Sequence, residues 1–398
     1  MLPNGWILCK IKDIQTVEVQ NGFSPLCVEE PTDRKSLSLG ALTGDSLDLN
    51  QQKSISVKAV MPSHSLLRKN DILVSRSNTK DKVGRAGLVQ SDVEKIYYPD
   101  LMMRFQVDAK KADCRFVTLC LQSPAGRRYF ECSAAGTSTS MVKINKNILE
   151  SFPIMLPPLN EQKKIAETLS VWDNAVEKTE KLIEAKELFF KKNLEDYIYA
   201  PAKNNQWKIE KLGNLSQMSS GGTPKSSVKE YYDGDVLWVS IADMTEQGMY
   251  VSRTAKTLTQ LGVDNSAAKV YPKGTVLYAM YASIGEVSIA VEDMASSQAI
   301  LGIQVGERLL NKYLYYFLVG QKERIKLQGQ AGTQSNLNAG MVRDFDIPLP
   351  SISEQEKIVH FFDLFEKEID VLKEQLENYK KQKQGLMQKL LTGQWRVK

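Results

Sequence analysis

Asp100, Asp108 and Lys110 are side chains of the kind that cleave phosphodiesters. Pro99-Asp100 followed by Asp108-Ala109-Lys110 imitates the carboxylate–lysine array that holds a magnesium ion for hydrolysis. The gap of seven residues is short for the hairpin such an array needs, and an ordinary turn between strands gives the same string. The chain has two histidines, His360 in a helical pattern as a packing residue and His64 in a polar loop. No HExxH, no Ser/His/Asp spacing, no P-loop and no GxGxxG occurs.

Residues 156–159, LPPL, are superficially similar to the NPPY loop of amino-methyltransferases, but lack its polar first and aromatic last residues. No methyl-donor site is expected. Binding chemistry is better represented. Residues 75–85, SRSNTKDKVGR, offer Ser75, Arg76, Asn78, Lys80, Lys82 and Arg85 for phosphates and base edges. Residues 134–140, AAGTSTS, offer Thr137 and Ser138; residues 328–338, QGQAGTQSNLN, offer Thr333, Gln334 and Asn336. Asn and Gln suit adenine, and Ser and Thr suit bases or phosphates. Thr223 and Lys225 in the GGTPK turn, with Tyr278 and Tyr281, complete the candidate phosphate and base-edge contacts. Each loop alone also fits a solvated turn. The AGT string at matching places in both halves brings binding level with the solvated-turn reading there.

The elements that position these loops begin at residues 156–162, LPPLNEQ, and again 193 positions on at 349–355, LPSISEQ. Proline keeps the preceding residue extended, so both phrases read as a strand end meeting a helix start. Asn160 and Ser353 are the expected N-caps, with Ser353 and Glu356 forming a capping box. Each start leads a seam of alternating four- and three-residue steps. The first seam runs Ile165, Leu169, Trp172, Val176, Thr179, Ile183, Lys186, Phe190, Asn193, Tyr197. The second runs Ile358, Phe362, Phe365, Ile369, Leu372, Leu376, Tyr379, Lys383, Leu386, Leu390. Thr179, Lys186, Asn193 and Lys383 interrupt the seams and are candidates for register control. A helix of about 38 residues is roughly 57 Å long.

A Trp-led phrase opens the chain (GWILCKIKDI), follows the first helix (QWKIEKLGNL) and returns after the second (GQWRVK). The order is cyclic, and the termini should lie close together. KNDIL at 69–73 aligns with KGTVL at 273–277, and Val83-Gly84 with Ile284-Gly285; elsewhere the two halves diverge. The expected division is 1–159 and 201–352 as mixed α/β domains, 160–200 as the first long helix, and 353–398 as the second with its tail. A chain of 398 residues is too long for one core. Residues 1–159 hold 21 basic and 16 acidic side chains, so the +5 net charge is concentrated there. That tolerates a nucleic-acid partner. No apolar run spans a membrane and no signal peptide opens the chain, so a cytoplasmic location is expected. The five cysteines contain no CxxC and read as reduced, mostly buried thiols.

On LPPLNEQKKI (156–165), LPSISEQEKI (349–358), the KNDILVSR and KGTVLYAM runs, the AGT loops and the terminal LLTGQWRVK, the chain resembles the specificity (S) subunit of type I restriction–modification enzymes. The second copy departs only at Ser351 and Ile352. The resemblance covers essentially the whole length. It implies an α+β protein: two target-recognition domains separated by two long antiparallel coiled-coil helices, in a pseudo-twofold, cyclic arrangement. Each domain would read half of a bipartite, asymmetric double-stranded DNA site. Two modification (M) subunits would dock on the helices with S-adenosylmethionine. Restriction (R) subunits, where present, would bring ATP and magnesium. This chain would carry no cofactor, metal or catalytic residue. The alternatives are a duplicated coiled-coil scaffold that binds proteins only, and a magnesium nuclease built on Asp100, Asp108 and Lys110.

Overall fold

A computed structural model describes residues 2–136, 141–203, 206–281, 283–329 and 337–397. It divides into two units, residues 1–179 with 375–398, and residues 180–374. Each unit therefore takes one end of each long helix, Leu159–Leu194 and Ile352–Leu391.

The first unit is built on a four-stranded sheet in the order Gln15–Asn21, Met102–Val107, Ile72–Ser75, Ala86–Leu88. The second repeats that order with Ser216–Ser220, Ile300–Val305, Val276–Ala279 and Val287–Ala290, and adds Tyr250–Val251 at the edge. KNDIL and KGTVL each open on a turn: Asn70 and Gly274 take φ of 68° and 87°. These are the residue types that tolerate the left-handed region. Helices Cys114–Gln122 and Asn311–Gly329 pack on the sheets; Phe116 and Tyr313 are fully buried.

Between the first and second core strands each unit inserts a different sheet. The first unit's insert has strands Cys27–Val28, Gln52–Ile55, Lys35–Leu37 and Ile96–Tyr97, the last supplied by a later loop. The second unit's has Lys256–Leu258, Tyr232–Val239, Met294–Ser296 and Val270–Tyr271, with Met294–Ser296 again supplied by a later segment. Chemistry diverges even inside the common frame. Arg104 is a buried cation, held by Asp71 at 3.3 Å and by Gln20. The register partner of that position in the second unit is Gly302, whose missing side chain leaves room for the Tyr271 ring.

A short antiparallel ladder leads into each long helix: Ile7–Lys10 with Pro153–Leu156, and Lys208–Lys211 with Asp346–Leu349. The helices start earlier than the expected caps. The amides of Glu161 and Gln162 donate to the Pro158 carbonyl, and those of Glu354 and Gln355 to the Ser351 carbonyl. Pro158 and Ser351 are therefore the caps, and Asn160 and Ser353 lie inside the first turn. Ser351 also accepts from the Glu354 amide, so only the second start has a side-chain cap.

Along both helices every apolar seam position named above except Tyr197 is buried or half-buried. In the first unit Trp172 meets Tyr379 edge-on, and Asp173 pairs with Lys383 at 2.5 Å. In the second, Phe190 packs on Phe362, and Lys186 pairs with Glu368 at 2.8 Å. In the second unit rising numbers on one helix meet falling numbers on the other. In the first unit Glu161 with Arg396 and Asp173 with Lys383 run the same way, so the pairing is antiparallel in each unit. Lys383 is 7% exposed: this seam break is an ion pair turned inward.

All five cysteines are free thiols, but only Cys120 is buried; Cys27 and Cys132 are exposed. Burial pushes the Cys120 thiol pKa up. His360 is exposed rather than packed. No described helix is long and apolar enough to cross a membrane.

Candidate nucleic-acid interface

In the first unit the turn after the strand Ile72–Ser75 is held from behind. Arg127 donates to the carbonyls of Val83 and Asp81 at 2.7 and 3.0 Å, and the Gly84 amide donates to the Ser75 carbonyl. The backbone of 79–84 is thereby fixed. Lys80 and Lys82 project from it, exposed and with no ion-pair partner among the described residues. Arg76 is half-buried and donates to the Asp100 carbonyl; Asn78 accepts from the Thr79 amide. Arg85 lies over residues 42–44 of the insert and ties frame to insert.

Two expected contacts need correction. Ser75 is fully buried, with its hydroxyl unpartnered inside the unit, because it belongs to a core strand, Ile72–Ser75, that is buried at every position. Tyr278 is also fully buried, packed edge-on against Phe345. Burial pushes its phenol pKa well up. Neither offers its side chain to DNA. Tyr281, three residues on, is 40% exposed. Thr137, Ser138, Thr333, Gln334 and Asn336 lie outside the described residues. Their flanks are placed: Asn78 pairs with Val142, and the Leu337 amide donates to the Met280 carbonyl. Both units thus bring the turn after the same core strand beside the segment that follows an AGT string.

The GGTPK turn of the second unit is equally well held. Trp238 Nε1 donates to the Gly222 carbonyl at 3.0 Å, and the Tyr232 hydroxyl to that of Pro224 at 2.7 Å. A Cβ on Gly221 would fall within 2.3 Å of the Ser296 carbonyl oxygen, so only glycine fits that crossing. Thr223 and Lys225 stand exposed on this frame. The first unit has the same crossing at Gly22, against the Pro99 and Tyr98 carbonyls. It presents Phe23, Ser24 and Leu26, all exposed, where the second presents Thr223 and Lys225. The sequence reading missed these three; the Gly-then-Pro phrase after the first core strand of both units is what could have found them.

The nuclease array does not assemble. Asp100 and Asp108 flank opposite ends of the strand Met102–Val107, roughly 20 Å apart at about 3.3 Å per residue. Asp100 bonds the Ser24 hydroxyl, and Asp108 accepts from the Lys110 amide in its own turn. Among the described residues no cluster of three or more His, Cys, Asp or Glu could hold a metal ion. What each unit presents is a set of cations, hydroxyls and amides on turns braced from within, the chemistry that meets phosphates and base edges.

Comparison with known proteins agrees. The family model for the type I restriction modification DNA specificity domain matches twice, at residues 3–187 and 204–380. The MjaIX specificity subunit of Methanocaldococcus jannaschii is 29% identical over 43% of this chain and 40% of its own length. The putative MjaX specificity subunit of the same organism is 23% identical over 100% of this chain and 95% of its own. The Escherichia coli EcoEI specificity subunit is 30% identical over 42% of this chain and 29% of its own. Among solved structures, a chain from a study of complex assembly in the type I R-M system aligns over 98% of both chains at 17% identity, with a TM-score of 0.64. The S subunit from M. genitalium aligns over 98% of this chain and 97% of its own, with a TM-score of 0.56 and 17% identity. Both have the same fold.

Proposed function

The chain belongs to the family of type I restriction modification DNA specificity domains, and on that premise we propose that it is the DNA sequence-recognition subunit of a type I restriction–modification complex. Each unit reads one half of a bipartite, asymmetric double-stranded target, and the chain itself catalyses nothing. Two M subunits dock on the long helices, bring S-adenosylmethionine and methylate adenine. R subunits, where the system has them, bring ATP, magnesium, translocation and cleavage. The setting is the cytoplasm.

One observation carries this reading: the same four-strand order occurs twice with a different sheet inserted at the same point. Identical heads would suit a palindrome, and a scaffold for proteins alone leaves the divergent inserts without a use. The long helices also expose apolar side chains away from their seams. These are Val171 in the first unit and Leu182, Leu188, Phe189, Leu364 and Val371 in the second. Such surface suits a protein partner.

The test is methyl transfer. The chain alone, given S-adenosylmethionine and DNA, should transfer nothing. With its M partner it should methylate adenine in a split site, and binding should weaken steeply with salt. Methyl transfer by the chain alone, or sequence-independent methylation by the complex, would overturn the reading.

A further inference from the structure

Gln162 and Gln355 stand at the same position of the two LP…EQ joints, and both are fully buried. Gln162 Oε1 accepts from the Asp113 amide at 2.8 Å, while Nε2 donates to the carbonyls of Lys111 at 3.1 Å and Pro157 at 2.8 Å. Gln355 repeats the set: Oε1 accepts from the Leu310 amide at 2.9 Å, and Nε2 donates to the carbonyls of Arg308 at 2.9 Å and Pro350 at 3.0 Å. Three of the four hydrogen-bonding positions of each amide are used, and the bonds orient it uniquely.

All six partners are backbone atoms. The bonds survive although the residues supplying them differ, Lys111 against Arg308 and Asp113 against Leu310. The neighbouring glutamates show no such constancy: Glu161 is bound by Trp6 and Arg396, Glu354 by Lys357. The repeat thus preserves one thing here, the tie between the first turn of a long helix and the backbone just before a core helix of the head. In each copy that tie sits at the exit from the proline-stiffened strand, the point about which the head would turn on its helix. Glutamate lacks the donors, and methionine has the reach but no polar atom.

We propose that Gln162 and Gln355 are positioning residues that fix the angle between each DNA-reading head and its long helix, and so the single spacer the bipartite target accepts. This rests on the functional reading above. One base pair of spacer displaces a half-site by about 3.4 Å and rotates it by about 34°. Discriminating spacers one pair apart requires joints stiffer than that rotation. A helix start held by three buried bonds on both sides of its pivot has that stiffness.

The experiment uses the full chain assembled with its M partner. The target is first read from the methylated adenines of wild-type-treated DNA. Methylation rates are then compared on duplexes with the native spacer, one pair fewer and one pair more. For Gln162→Met and Gln355→Met, each of which removes all three bonds, the preference for the native spacer should fall by at least about tenfold. Base preference within each half-site should stay unchanged. Equal slowing on all three duplexes means that the glutamines only hold the fold, and overturns the proposal. Should the methionine variants fail to assemble, Gln162→Glu, which keeps the acceptor for the Asp113 amide, makes the same comparison with the same two outcomes. If the wild-type complex shows no bipartite preference, the functional reading fails, and the inference with it.

Discussion

Arg396, two residues from the C-terminus, grips Glu161 at the start of the first long helix with two hydrogen bonds, Nε to Oε1 at 2.6 Å and an NH2 nitrogen to Oε2 at 2.9 Å. Trp6 Nε1 donates to the same carboxylate, and Arg396 also donates to the Asn4 carbonyl. Both chain ends thus close on one nearly buried glutamate. In the second unit Glu354, the counterpart of Glu161, pairs among the described residues with Lys357. Arg396→Met should lower the melting temperature of the first unit by a few degrees, because Glu161 loses its counter-charge. The deficit should shrink as salt rises. Calorimetry showing no change would mean the tail is an accessory.

Lys383 is an amine enclosed in an apolar seam, tolerated because Asp173 meets it. Asp173→Ala leaves that charge unpaired and should cost about 1–2 kcal/mol, reduced from the fully buried case because Asp173 is 42% exposed. Asp173→Ala with Lys383→Met should recover most of the loss. Urea unfolding of the four members of that cycle measures the coupling; additive losses would refute it.

Glu366 makes the second unit pH-sensitive. Burial first, with Asp370 and Asp363 nearby, raises its carboxyl to about 7; the Tyr316 hydroxyl bond and Lys312 act the other way. Glu366 in turn adds to the burial that pushes the nearby Tyr315 phenol up. The folded state therefore holds a proton that the unfolded chain releases near its ordinary value of 4.5. The stabilisation is complete below that pH and is lost as pH rises through about 7, up to about 3 kcal/mol. Glu366→Gln should flatten the stability profile between pH 5 and 8, and thermal melts across that range read it directly. An unchanged slope would show that the group ionises without penalty.

Lys80 and Lys82 should act on phosphates. Each alanine variant should weaken binding of the assembled complex uniformly across sequences and reduce the salt slope by about one. Ser75→Ala should leave both affinity and base preference unchanged, since its hydroxyl is enclosed. Fluorescence anisotropy over a salt series distinguishes these outcomes.

The seams, the repeated joint and the closeness of the termini were legible because they rest on periodicity and repetition, which a single sequence contains. The helix starts were missed by two residues, since Asn160 and Ser353 look like caps unless one sees that Pro158 and Ser351 already accept the first amides. Ser75 and Tyr278 carry polar groups and so read as surface, but they belong to core strands, Ile72–Ser75 and Val276–Ala279, buried at every position. Gln162 gave no sign of its role: its partners Lys111 and Asp113 lie some 50 positions away and use only backbone atoms. The insert sheets were illegible for the same reason, with short strands such as Lys35–Leu37 and Ile96–Tyr97 meeting across long gaps.

The central claim is that two unlike heads each read one half of a split site. Mapping methylated adenines by single-molecule sequencing tests it most directly, in cells carrying the M partner with either this chain or a version whose first insert, residues 22–71, is replaced by a relative's. The account predicts a bipartite motif in which only one half changes, with the other half and the spacer retained. A continuous or palindromic motif, or a change in both halves, would contradict it.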